Sequence, residues 1–288
     1  MAAAVQRMDG RVCVVTGATS GIGRAAAQEL GALGARLVLV ARDPARGAAA
    51  RDEITAGTGN REVALEVADL ASQRQVRELA ARLLAALPEI HVVVNNAGLA
   101  LGERRLTEDG LEETFAVNHL APFLLTNLLL ERLRASAPAR VVTVASAAHR
   151  GVAIPFDDLN GERRFSGWIA YAWTKLANIL FTAELARRLE GSGVTATCLH
   201  PGVVATGFAR EGPILVREFQ RLVGRLFLLD PAQGADTLVW LASSPDVEGA
   251  SGGYYAKRRL AAPSPAARDA GAARRLWRES ERLTGLAG

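Results

Sequence analysis

Apolar positions along the chain follow two alternating rhythms. Short, continuously apolar, valine-rich runs fall at 11–16, 36–41, 62–67, 91–95, 140–145 and 194–199. A strand with one wet face would alternate apolar and polar residues, so these runs predict strands covered on both faces. Between them, at 22–33, 44–56, 72–87, 111–133 and 169–189, apolar residues recur every three or four positions, the period of a helix that buries one stripe. Pro122 lies inside the fourth segment, and a break is expected just before it. Strands alternating with helices predict parallel βαβ units. No linker, repeat or low-complexity stretch divides them. The expected architecture is α/β: a single doubly wound, Rossmann-type domain over 1–288.

Composition narrows the class. With 288 residues, 49% of them hydrophobic, one large core can be buried. No run of 18 uninterrupted apolar residues occurs, and the eleven residues before the first strand are too short for a signal peptide. A cytoplasmic location and no transmembrane anchor are therefore expected. The net charge of +4 comes from arginines interleaved with acids along the helices, which argues against a nucleic-acid partner. Cys13 and Cys198 lie in apolar strand-like runs and read as free, buried thiols, and no cysteine–histidine spacing suits a metal.

Candidate chemistry begins at the first strand-to-helix turn, Thr16-Gly17-Ala18-Thr19-Ser20-Gly21-Ile22-Gly23. Glycines there let the backbone turn tightly, and the helix N-terminus offers N–H groups to a pyrophosphate. At the end of the second strand Arg42 follows Ala41, where an acidic residue would hold a ribose 2′-hydroxyl. Arginine suits a 2′-phosphate, so NADP(H) is favoured, with Arg24 a second candidate charge; Asp43 keeps NAD(H) open. Further on stands Tyr171-Ala-Trp-Thr-Lys175. Positions four apart share a helix face, and an ammonium beside a phenol is expected to lower the phenol pKa toward a useful acid–base range. The chain has three tyrosines, and all but two of its 34 basic residues are arginine, so this lysine is a conspicuous choice.

Taken in order, Thr16-Gly-x-x-x-Gly-Ile-Gly23, Asn95-Asn96-Ala97-Gly98, Ser146, Tyr171-x-x-x-Lys175 and Pro201-Gly202 resemble the short-chain dehydrogenase/reductase family over about residues 9–255. Val117-Asn118-His119-Leu120-Ala121-Pro122, Lys175-Leu176-Ala177-Asn178 and Arg275-Leu276-Trp277 resemble its retinol-dehydrogenase-like branch. The resemblance implies a seven-stranded, mostly parallel sheet of order 3-2-1-4-5-6-7, which sets Cys13 and Cys198 two strands apart. It implies a cofactor-binding core at 9–205, a substrate lid at 206–230 and a C-terminal extension at 256–288. Tyr171 would exchange the proton with a carbonyl or alcohol. Lys175 would hold the nicotinamide ribose, Ser146 the reacting oxygen, and Asn118 a water linking Lys175 to solvent. Cofactor contacts are implied at Gly17, Thr19, Ser20, Gly21, Ile22, Gly23, Arg42, Asp69, Leu70, Asn95, Ala97, Gly98, Pro201, Gly202, Val204 and Thr206, with Asn96 mainly structural.

Substrate choice should come from the long loops at 147–167 and 206–230. In the second, Phe219 and Leu222 belong to an apolar stripe that fits a lid or ordinary packing, and less well an interfacial helix. His149 is expected at the substrate entrance. The expected partner is a small apolar alcohol or carbonyl compound, with a homo-oligomer also open. A catalytically silent dinucleotide-binding sensor is the alternative, and the intact Asn118, Ser146, Tyr171 and Lys175 argue against it.

Overall fold

The computed structural model describes residues 7–202 and 230–286. The expected alternation is present: β1 (Val12–Thr16), α1 (Gly21–Ala32), β2 (Arg36–Ala41), α2 (Pro44–Thr58), β3 (Val63–Val67), α3 (Gln73–Ala86), β4 (Val92–Asn95), α4 (Glu113–Phe115), α5 (Ala121–Ala135), β5 (Ala139–Val144), α6 (Gly167–Arg188) and β6 (Val194–Leu199). After the undescribed stretch come α7 (Pro231–Ser243), β7 (Tyr254–Ala256), β8 (Arg259–Leu260) and α8 (Ala270–Thr284). Val204, Thr206 and nearly all of the expected lid lie outside the described residues.

The strands form one sheet of order β3-β2-β1-β4-β5-β6-β7-β8. It has eight strands where seven were expected. The eighth is two residues long and runs antiparallel to β7, pairing Tyr255 with Leu260. Lys257 and Arg258 turn the chain between them at φ 51° and 56°, the left-handed pair that a tight hairpin of primed type requires. All other pairings are parallel. Strand order reverses between β1 and β4, so the loops after these two strands open a crevice at the C-terminal edge.

The segment 111–133 departs from expectation. The helix does not break before Pro122. Ala116–Leu120 widens into a π turn, in which the Ala121 N–H reaches back to the Ala116 carbonyl. Pro122 then sits in the first turn of α5, where its missing N–H costs no bond. Upstream, both carboxylate oxygens of Glu112 accept first-turn N–H groups, from Thr114 at 2.9 Å and Phe115 at 2.8 Å.

Helices cover both faces of the sheet. Leu79 and Leu83 of α3, Leu129 of α5, and Phe181 and Leu185 of α6 fill one side. Leu30 of α1, Ile54 of α2, and Leu238 and Leu241 of α7 fill the other. Cys13 and Cys198 are free and buried, with β4 and β5 between their strands, and burial pushes each thiol up to about 12. Among the described residues no helix is long and apolar enough to cross a membrane.

The C-terminal helix α8 packs into the core. Trp277 is buried, edge-on to Phe123 at 4.9 Å between ring centroids, and the Arg188 guanidinium lies 4.1 Å from its ring centroid. Its indole N–H donates to Glu281 at 2.6 Å. Trp277→Ala should therefore lower unfolding stability by about 3–5 kcal/mol, read from the midpoint of a urea melt. A loss within 0.5 kcal/mol, typical of surface substitutions, would mean that α8 is not part of the cooperative core.

Candidate active site

At the reversal of strand order, one hydroxyl joins two turns. Thr16 Oγ1 donates to the Val94 carbonyl at 3.1 Å and accepts the N–H groups of Asn96 at 3.0 Å and Ala97 at 3.1 Å. The Asn96 amide donates to the carbonyls of Thr16 at 2.9 Å and Gly17 at 3.2 Å, the structural role expected of it. Only glycine fits this clasp. Gly17 has φ 67°, and a Cβ there would lie 2.8 Å from Ala97 Cα; a Cβ at Gly23 would lie 2.3 Å from the Asn96 amide nitrogen. Ser20 is the N-cap of α1 but makes no side-chain capping bond, which leaves the first-turn amides to an outside acceptor. Thr19, Gly21 and Ile22 complete this turn, partly buried around the start of α1.

Arg42 is exposed just beyond β2. Asp43 is occupied as the N-cap of α2, accepting the Arg46 N–H at 2.9 Å. Arg24 pairs with Glu53 at 2.6 Å, so its charge is already partnered. Asp69 lies in the turn after β3, which ends at Val67; its carboxylate accepts the Ala71 N–H at 3.0 Å. Leu70 packs on the core beside it. Asn95 is buried with its amide donating to Thr126 Oγ1 at 3.0 Å, so its side chain braces β4 against α5. Gly202 has φ 87° and donates its N–H to His200 Nδ1 at 3.0 Å, which shapes the Pro201-Gly202 turn.

On α6, Tyr171 is half-buried and Lys175 is buried one turn further on. Lys175 Nζ donates to the Val144 carbonyl at the end of β5 at 3.0 Å and lies 5.6 Å from the Tyr171 ring centroid. Ser146, two residues beyond Val144, comes close enough to the Tyr171 side chain to oppose the rise of its pKa. Asn118 comes from the π turn. Its Oδ1 accepts the Leu99 N–H at 2.8 Å, and its amide donates to the Leu99 carbonyl at 2.9 Å and Thr174 Oγ1 at 3.1 Å. Thr174 donates in turn to the Tyr171 carbonyl at 2.8 Å. A side chain at Gly98 would sit 3.2 Å from Asn118 Oδ1 and 3.3 Å from Lys175 Nζ, so glycine keeps the space between them clear.

A model of the short chain dehydrogenase family matches residues 11–213. The chain belongs to the short-chain dehydrogenase family. Human retinol dehydrogenase 14 is 44% identical over 97% of this chain and 88% of its own length, and mouse retinol dehydrogenase 12 is 43% identical over 97% and 88%. A crystal structure of a protein from Mycobacterium paratuberculosis superposes with a TM-score of 0.80 at 34% identity, covering 98% of this chain and 96% of its own. This short-chain dehydrogenase is accordingly an oxidoreductase of the alcohol dehydrogenase/carbonyl reductase type with an NAD(P)-binding Rossmann fold.

Two expectations for this short-chain dehydrogenase change. The Tyr171 phenol is not drawn down toward neutrality: burial raises its pKa, opposed by Ser146. Burial also lowers Lys175 to about 8, because an ammonium in apolar surroundings loses its hydration. His149 does not line an entrance. It is fully buried, with both ring nitrogens engaged by backbone groups. Thr16, Thr174 and Asn178 stand within the quoted motifs, but sequence reasoning gave them no role. Asn178 lies three positions beyond Lys175, shares its helix face, and donates to the same Val144 carbonyl at 3.3 Å. Trp168 was also missed. It is 45% exposed, at the start of α6, and its ring centroid is 6.0 Å from that of Tyr171.

Proposed function

We propose that this protein reduces an apolar aldehyde or ketone with NADPH, Tyr171 giving the proton and Ser146 holding the reacting oxygen. The observation that carries this reading is the convergence of Tyr171, Ser146 and Lys175 from α6 and β5, with Asn118 bracing the helix from behind. The uncapped start of α1 and the clear space at Gly98 fit a dinucleotide that runs from the glycine turn toward Lys175. Bound nicotinamide supplies the hydride. Burial keeps the Tyr171 phenol protonated at neutral pH, which is the donor form and suits reduction. As the carbonyl oxygen gains charge, the Ser146 hydroxyl donates to it and Tyr171 passes its proton. Lys175 holds its own proton up to about pH 8 and is placed to donate to ribose hydroxyls.

Cofactor choice rests on Arg42. It is exposed past β2, while the neighbouring carboxylate of Asp43 is used in a helix cap. An uncommitted guanidinium suits a 2′-phosphate. A solved short chain dehydrogenase from Burkholderia cenocepacia, in complex with NADP, is 25% identical with a TM-score of 0.70, covering 86% of this chain and 96% of its own. An apolar substrate is supported by Trp168 and Ile169, 45% and 49% exposed on the first turn of α6, three and two residues before Tyr171.

Oxidation of NADPH followed by absorbance across a panel of aldehydes and ketones tests the activity. Tyr171→Phe removes only the hydroxyl, so kcat should fall about 10²–10⁴-fold while NADPH binding, followed by fluorescence titration, is retained. Lys175→Arg keeps the charge but replaces a compact donor with a planar one, and should lose both turnover and NADPH affinity. Near-normal turnover in either variant would remove these roles.

Arg42→Asp should weaken NADPH far more than NADH, because it sets a carboxylate against the phosphate and spares the hydroxyl case. Equal losses for the two cofactors in a binding titration would sink the 2′-phosphate reading.

Trp168→Ala should raise KM for bulky apolar carbonyls and leave both NADPH affinity and KM for a small aldehyde nearly unchanged, since only apolar binding surface is lost. A uniform change across substrate sizes would show that the indole does not meet the substrate.

A further inference from the structure

Three residues beyond Ser146, a histidine joins two distant backbones. His149 Nδ1 is 2.6 Å from the Ser146 carbonyl oxygen, and its Nε2 accepts the Ser264 N–H at 3.0 Å. A carbonyl can only accept and an amide N–H can only donate. The two partners therefore fix one neutral tautomer, with the proton on Nδ1. The ring is fully buried, edge-on to Tyr254 of β7 at 5.2 Å between centroids.

The turn that His149 grips is slight. Ala147–His149 is a single 3-10 turn capped by Ser146, whose Oγ accepts the Ala148 N–H at 3.2 Å. Two long main-chain bonds close it, from the His149 N–H to the Ser146 carbonyl at 3.2 Å and from the Arg150 N–H to the Ala147 carbonyl at 3.3 Å. The imidazole adds a second donor to that carbonyl and so fixes the peptide plane next to the Ser146 side chain. Its other nitrogen is anchored from a segment that is itself tied down. The Ala261 N–H donates to the Tyr254 carbonyl at 2.8 Å, and Arg150 donates to the Ala262 carbonyl at 2.8 Å. The position of 261–264 against the sheet edge is thereby passed through the ring to the serine.

We infer that His149 is a positioning residue for Ser146, orienting its hydroxyl toward the reacting oxygen through the bond to its carbonyl. This rests on the role given to Ser146 in the proposed reaction. A histidine that only held the C-terminal segment in place would depend on the bond to Ser264; one that positions Ser146 depends on the bond to the carbonyl.

Two substitutions separate these bonds. In His149→Asn the amide N–H can take the place of Nδ1–H on the Ser146 carbonyl, while Ser264 loses its acceptor. In His149→Gln the longer side chain can place its oxygen near Nε2, accepting from Ser264, while the bond to Ser146 is lost. Steady-state kinetics, NADPH titration and thermal melts should be run on both, with Ser146→Ala in parallel. His149→Gln is expected to lose about 10- to 100-fold in kcat, the scale of an ångström-level misplacement at a reacting centre, with NADPH Kd and Tm close to wild type. His149→Asn is expected to retain kcat within about threefold of wild type on the same ground. Wild-type kcat in His149→Gln, an equal loss in both variants, or a loss that tracks Tm and NADPH affinity would each overturn the inference. If Ser146→Ala is inactive while His149→Gln is normal, only the positioning role falls. Full turnover in Ser146→Ala would instead remove the role of the serine itself, and with it this inference.

Discussion

A threonine hydroxyl has one proton to give and two lone pairs to offer, and Thr16 uses all three across the switch point of the sheet. The turn after β1 and the turn after β4 are thereby a single object. From there the connection continues through a short run of backbone and further hydrogen bonds. Ala97 leads through Gly98 to Leu99, whose backbone is gripped on both sides by Asn118. Asn118 holds Thr174, and Thr174 holds the carbonyl of Tyr171. The dinucleotide end and the proton-transfer end of the crevice are therefore set by one chain of short polar contacts on a sheet that is otherwise apolar. Such a network is costly if partly satisfied and rigid if complete.

Burial sets the electrical character of the site. It raises the Tyr171 phenol and lowers Lys175, so both groups are drawn toward their neutral forms. The Ser146 hydroxyl and the Val144 carbonyl are the polar partners that offset this. The proximity of lysine to tyrosine was legible from a four-residue spacing. The net direction of the phenol's shift was not, because desolvation depends on everything else packed around α6.

The same division runs through the fold. Apolar runs placed the six long strands within a residue or two, since a strand sandwiched between helix layers must be apolar on both faces; in β3, at the sheet edge, only Val63 is buried. Strand β8 escaped notice because two residues carry no period. The π turn escaped because a shift from i+4 to i+5 bonding leaves no mark on which residues are apolar; only the proline that follows it hinted at irregular backbone. Asn118 was legible as a motif residue, but its grip on Leu99 was not. His149 was misread because the partner that explains it, Ser264, lies 115 residues away. The place of Arg42 just past β2 could be read directly, whereas the capping of α2 by Asp43 could not.

Most of α6 is buried, and α8 supplies part of its cover through Leu276 and Trp277. The ribosome releases α6 long before α8. Until Ala270–Thr284 emerge and dock, Phe123 and Phe181 lack the indole that packs on both of them. A nascent chain at that stage holds every group of the Tyr171 constellation yet presents an apolar strip to solvent or to a chaperone. Docking of α8 thus closes the apolar face of α6, and a chain cut before Ala270 would leave Phe123 and Phe181 without that cover.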